Sequence, residues 1–159
     1  MTVVETRLAD LGFPVPAARA PVGAYVPAVR SGTIVMSSGQ LPMTPEGIAA
    51  VGKVGSGDGL VDTETAGRCA VLATLNALAA LRSVVGDLDR VDRVMKLTGF
   101  VASDPDFTGQ PAVIDHASRL LVEAFGDAGH HARSALGVAV LPLNSPVEVE
   151  LTVRVRDDD

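Results

Sequence analysis

Near the C-terminus, apolar and polar side chains alternate strictly. Val147, Val149, Leu151, Val153 and Val155 fall on one side, and Glu148, Glu150, Thr152 and Arg154 on the other. Period-two alternation marks a strand with one buried face, here over residues 146–156. A different pattern fills residues 69–81, where only Thr74 and Asn76 are polar. Asp62 or Thr63 caps this run and Gly86 stops it, which predicts a helix reaching Val85. A helix apolar nearly all round must be covered on several sides, so contact with another subunit is expected beside a sheet face.

Shorter patterns fill in the rest. Thr2 caps a helix over residues 2–12, with Val4, Leu8 and Leu11 on one side and Gly12 as its stop. Residues 13–24, rich in Pro, Ala and Gly, form an extended connector. Strands follow over 25–30 and 33–38, joined at Ser31-Gly32, and Gly39 to Pro42 make a turn. Gly47, Gly52, Gly55, Gly57 and Gly59 make residues 43–61 a loop with at most a short strand. A strand over 91–101, a turn at Asp104 to Asp106, a helix over 111–125 ending at Gly126 and a strand over 133–140 complete the order. The sequence β-β-(β)-α-β-α-β-β predicts an α/β (α+β) domain with one mixed sheet and two helices on one face. It spans residues 1–159 as a single domain, with an extension at 1–20 and a solvated tail at 157–159. The sheet's other face exposes apolar side chains unless another subunit covers it.

Composition narrows the function classes. A net charge of −6 and a pI near 4.9 oppose nucleic-acid binding, and aromatic residues at 3% offer few stacking platforms. Cys69 is the sole cysteine, so no intrachain disulfide forms, and its apolar helix makes it a buried, inert thiol. No run approaches the ~20 apolar residues of a membrane span, and the N-terminus lacks the pattern of a signal peptide. A cytoplasmic location is the resulting expectation.

The chemistry concentrates at the C-terminal end. Arg133 stands at the entrance of a strand, where a guanidinium fork grips a carboxylate with two parallel hydrogen bonds. A nearby glutamate, Glu148 or Glu150, would then orient or deprotonate a water. The plainer alternatives are an intersubunit salt bridge for Arg133, and a ladder in which Glu148 and Glu150 pair with Arg154 and Arg156. His130 and His131 do not make a metal site, because adjacent strand residues point apart and no ligand spacing is present; His131 is a candidate cleft residue. The glycine-rich Gly55 to Gly59 lacks a phosphate loop's Gly-Lys-Ser/Thr ending, and Ser37-Ser38 lack a nucleophile elbow.

Several short strings, in order, resemble the reactive intermediate deaminase family, also called the RidA/YjgF family. They are Gly23-Ala-Tyr-Val26, Ser37-Ser-Gly-Gln-Leu-Pro42, Gly86-Asp-Leu-Asp-Arg-Val91 and Lys96-Leu-Thr-Gly-Phe-Val101. Pro105-Asp-Phe107, Ala132-Arg-Ser134, Leu141-Pro142 and Val147-Glu-Val-Glu150 continue the match. The resemblance implies a chorismate-mutase-like fold, a homotrimer with clefts between subunits, and no cofactor or metal. It implies hydrolysis of 2-imino acids to 2-oxo acids and ammonia, with a small carboxylate-bearing substrate as partner. It places Arg133 as the carboxylate anchor, Glu148 as the water-positioning group, Tyr25 in the pocket, and Ser38 and Gly39 on its wall. Backbone groups near Gly39 and Ala135 would contact the imine. Ala135 stands where the family's active deaminases usually carry Cys, and Asp115 or His116 falls in the region of an expected asparagine. Two other readings are a binding module for small carboxylates without turnover and, less favoured, an endoribonuclease, a name some relatives carry.

Overall fold

The computed structural model describes residues 2–157; Met1 and the tail residues Asp158 and Asp159 lie outside the described residues. The chain runs through α1 (Val3–Asp10), β1 (Ala28–Ser31), β2 (Ile34–Ser37), β3 (Met43–Thr44) and β4 (Gly47–Ile48). Then come α2 (Thr63–Val85), β5 (Val91–Ala102), α3 (Gln110–Phe125), β6 (Ala132–Val138) and β7 (Val147–Val155). Five strands form one mixed sheet in the order β1-β2-β7-β5-β6, while β3 and β4 make a separate small hairpin. β5 and β6 are parallel and the other pairs antiparallel.

β7 lies at the centre and realises its alternation. Its five apolar side chains are at most 1% exposed and face the helices, and its polar side chains face the open side of the sheet. α2 covers β7, β2 and β1, and α3 covers β5 and β6. The alternation also fixes the neighbours' faces, since paired residues share a side. Leu97 and Val101 of β5 therefore face the helices, while Lys96, Thr98 and Phe100 face outward.

α2 begins at the Asp62 cap, whose carboxylate accepts from the Thr65 amide at 2.8 Å, and ends at Gly86 with φ +80. Most of its nearly all-apolar surface is covered by the same chain. The sheet takes one side and α3 another, with the His116 ring packed so closely that a Cβ on Gly67 would meet it at 2.5 Å. The two polar exceptions are satisfied internally. Thr74 Oγ1 donates to the Ala70 carbonyl at 2.8 Å, and Asn76 Nδ2 donates to the carbonyls of Leu41 (2.9 Å) and Met43 (3.1 Å). This helix is long and apolar enough to cross a membrane, but 72% of its most apolar window is buried inside the protein, as suits a core helix. Cys69 is buried within it, and burial pushes its thiol pKa up.

The N-terminal helix docks on the helix layer through Val4 and Leu8, both buried; Leu11, expected on the same side, is 44% exposed. The free amides of its first turn all find side-chain acceptors. Thr2 and Glu5 form a capping box at 3.2 and 3.4 Å, and Asp89 takes the amides of Val3 (2.8 Å) and Val4 (2.9 Å). Arg82 pairs with Glu5 and also donates to the Pro16 carbonyl at 2.7 Å, tying down the start of the connector. Residues 25–27, expected in the first strand, belong to that connector, because Pro27 immediately precedes β1 and lacks a ladder N–H.

The Arg82 hydrogen bond holds the Glu5 carboxyl below its usual range. For Asp89 burial pushes upward, but the Val4 and Val3 amides, Thr2 and Arg156 outweigh it and the carboxyl is held low. Groups with lowered pKa stabilise the fold above the ordinary carboxylate range and lose that contribution as pH falls through the lowered values. α1 is therefore expected to stay docked at neutral pH and to loosen selectively as pH falls below the ordinary carboxylate range. Amide exchange of Val4 to Leu8, followed by NMR against pH, checks this. Asp89→Ala should cost about 1 kcal/mol at neutral pH, the usual value of a lost cap.

Candidate functional site

Glu148 is the first polar residue of β7 and shares the open face with its register partner Phe100 and, one strand further, Leu136. The residue before the Gln40–Val149 bridge is Gly39, and the Glu148 carboxylate lies over it. A Cβ on Gly39 would sit 1.9 Å from Glu148 Oε1 and 2.9 Å from Cδ, so only glycine leaves the carboxylate its place. Burial raises the Glu148 pKa, and the charge of Glu150, two residues on along the same face, raises it further. A carboxylate shifted upward in a partly buried position is a better proton acceptor than an ordinary glutamate.

Beside Gly39 opens a cavity of about 400 Å³, which Tyr25, Gln40, Leu41 and the Pro142–Leu143 turn also line. Ser38, next to Gly39, pins the connector. Its hydroxyl donates to the Val26 carbonyl at 2.6 Å and its amide to the Pro27 carbonyl at 2.8 Å. Asn76, one of the two polar residues of α2, fixes the Leu41–Met43 wall from below. Four residues singled out in the sequence, Tyr25, Ser38, Gly39 and Glu148, thus gather in one region of the chain.

Arg133 and Ala135 do not join them. Arg133 pairs with Leu97 and Ala135 with Gly99, both on the helix-facing side of β5, whereas Glu148 occupies the opposite face. Within one chain, Arg133 and Glu148 point away from each other across the sheet. Arg133 sits near the exposed edge beside α3, 3.7 Å from Asp115 Oδ1 and 3.4 Å from Ser118 Oγ. Ser118 Oγ lies 3.1 Å from His131 Nε2, and His131 Nδ1 lies 2.6 Å from the Gly129 carbonyl. A carbonyl only accepts, so Nδ1 carries the proton; in the neutral ring Nε2 then accepts from Ser118, and Ser118 accepts from Arg133. This chain of hydrogen bonds orients the guanidinium. Of the two candidates on α3, Asp115 lies on the Arg133 side, while His116 turns to α2 and Glu64. Ser118 escaped the sequence reading, although its place three residues after Asp115 puts the two on one helix face.

The charge ladder expected on β7 takes another form. Arg154 Nε pairs with Asp92 at 2.6 Å, and Arg156 donates to the Asp89 carbonyl at 2.7 Å. The bulged start of β5 brings those acceptors to the end of β7, away from Glu148 and Glu150. Among the described residues no His, Cys, Asp and Glu side chains form a group of three or more that could hold a metal ion.

Two outcomes test this geometry. A carbon-13 titration of the side-chain carboxyls should place Glu148 above 4.5, the ordinary glutamate value, and Glu150→Gln should move it down. Gly39→Ala should displace the Glu148 carboxylate while leaving the melting temperature within a few degrees, because the conflict is with a movable side-chain end. Crystallography of the variant checks it.

A family described as "YjgF/chorismate mutase-like, putative endoribonuclease" matches residues 5–155. The chain is 41% identical to Protein TCP17 of Trypanosoma cruzi, over 97% of this chain and 95% of that protein. Its fold superposes on Atu1372 of Agrobacterium tumefaciens, a protein of unknown function, with a TM-score of 0.89 and 44% identity, covering 97% of this chain and 93% of that one. E. coli TdcF, solved with bound serine, aligns with a TM-score of 0.59 and 25% identity over 88% of this chain and 94% of its own. The fold, the matched length and these likenesses agree, and the chain belongs to the YjgF/chorismate mutase-like family.

Proposed function

We propose that the protein hydrolyses small 2-imino or enamine acids to 2-oxo acids and ammonia, in a cleft between two copies of the chain. The observation that carries this reading is the Glu148 carboxylate, raised in pKa and seated over Gly39, a residue that also lines the neighbouring cavity. Arg133 faces the other way, so a substrate touching both groups needs Arg133 of the partner subunit. The open sheet face supports such an assembly, since it leaves Val29, Met36, Met95 and Leu136 exposed. A ring of three copies, the arrangement the sequence resemblance implies, would cover these side chains and complete each cleft. The serine bound to E. coli TdcF supports a small molecule with a carboxylate and an adjacent nitrogen as the ligand class.

The chemistry follows from these roles. Arg133 holds the substrate carboxylate through two charge-assisted hydrogen bonds, which fixes the neighbouring C=N carbon. Glu148 accepts a proton from water as its oxygen attacks that carbon, and the protonated imine nitrogen takes the electron pair. Glu148 then returns the proton to the nitrogen of the carbinolamine. The C–N bond breaks as the hydroxyl gives its proton to Glu148, which passes it to the departing ammonia and leaves the 2-oxo acid. A protonated imine is already electrophilic, so positioning and one proton shuttle suffice. No thiolate enters this scheme, and Ala135 in place of Cys is compatible with it. The acidic chain, with its net charge of −6, disfavours an RNA substrate.

Wild type should accelerate the loss of 2-iminopropanoate and 2-iminobutanoate generated in situ. Arg133→Ala should lower kcat/KM by about a hundredfold or more, the value of a lost charge-assisted fork. Glu148→Gln should be inactive as well. Mixing the two inactive variants after partial unfolding and refolding should restore part of the activity, because some clefts then combine an intact Arg133 with an intact Glu148. Tight binding of 2-oxobutanoate that depends on Arg133, with no turnover in excess protein, would select the binding-module reading instead.

A further inference from the structure

The cavity beside Gly39 extends beyond what a water and a three-carbon acid require. At about 400 Å³ it falls in the ~300–1,000 Å³ range of small-molecule sites. 2-Iminopropanoate has only a methyl group to place there. The walls are mostly apolar: Val22 from the connector, Leu41 and Met43 after β2, and Pro142 and Leu143 before β7. The charged residue in the lining is Arg19, and its guanidinium is engaged with the Thr44 carbonyl at 3.1 Å, holding the connector against β3.

Two of the walls present apolar surface with no partner in the chain. Both residues line the cavity, and Val22 is 92% exposed and Leu143 66% exposed. Leu143 is also held at φ 56 and ψ 22, a left-handed conformation that leucine seldom adopts. The turn is tied down by its neighbour, as the Asn144 carbonyl accepts the Gly52 amide at 2.8 Å. A strained backbone that holds a leucine out over a cavity adds nothing to the packing of the free chain. Such strain points to a role in contact with a ligand.

We infer that this cavity receives the side chain of the substrate and selects 2-imino acids with bulky apolar side chains over 2-iminopropanoate. The inference rests on the deaminase reading, and it assigns Val22 and Leu143 as specificity residues rather than catalytic ones. The connector, far from the chemistry in sequence, supplies one wall. An acidic side chain would meet a single cation already engaged with the backbone, beside the neutral Tyr25 and Gln40 and mostly hydrocarbon.

The test compares imines generated in situ from alanine, leucine and glutamate. Wild type should favour the leucine-derived imine over the alanine-derived one by about tenfold or more in kcat/KM, within the range that apolar pockets discriminate. Leu143→Asn keeps a residue that tolerates the left-handed conformation while removing the apolar wall. It should lower kcat/KM for the leucine-derived imine by about tenfold and leave the alanine-derived imine within about twofold, with an unchanged melting temperature. Val22→Ser, an exposed lining position on the connector rather than the turn, should act in the same direction and guards against an effect of the turn itself. Turnover of small imines without a preference for leucine's, a preference for glutamate's, or equal losses on all substrates in both variants would overturn the inference and leave the deaminase reading standing. Failure to turn over any imine removes both.

Discussion

Everything in this domain is arranged around the two-sidedness of its central strand. β7 has partners on both edges and a layer of helices on one face, so its register cannot slip by one residue without burying Glu148 and Glu150. That cost fixes the strand, and the strand fixes its neighbours' faces. Leu97 and Val101 are turned into the core, Phe100 is turned out beside Glu148, and Arg133 is turned away from it. The division between a core-facing and an open face is thus also the division between the two halves of the proposed site.

The N-terminal extension serves this frame rather than decorating it. Asp89, in the turn between α2 and β5, caps a helix more than eighty residues earlier in the chain. Arg82 and Arg19 then hold the following connector at two points, and Ser38 holds it at a third. Tyr25 and Val22 reach the cavity because these bonds position an otherwise irregular segment. A loop pinned by side chains at several points places functional groups with little of the entropy loss that ordering a free loop would bring at binding.

The charges are distributed to match. Carboxylates that dock the extension are held low by amides and arginines and stay ionised at neutral pH. Glu148 differs because it lies part-buried, with a like charge two residues away, and is raised. The same chemical group is held low in one setting and raised in the other, and the local environment alone makes the difference.

Much of this was legible without coordinates. The limits of α2 follow from Asp62, Gly86 and an unbroken apolar run, and the faces of β7 follow from strict alternation, because both signals are local and set by backbone geometry. The grouping of Gly39 with Glu148 was legible only through the family strings. Arg133 on the face opposite Glu148 was not readable, because Ala132 to Val138 lack clear alternation and their orientation is set by parallel pairing with β5. Nor were the Ser118–His131 support of Arg133 and the cavity between Val22 and Leu143, which join segments well apart in the chain. The sequence by itself determined which elements form and which way the central strand faces, since those depend on spacing along the backbone. Only the tertiary structure decided which side chains meet, since that depends on how distant segments pack.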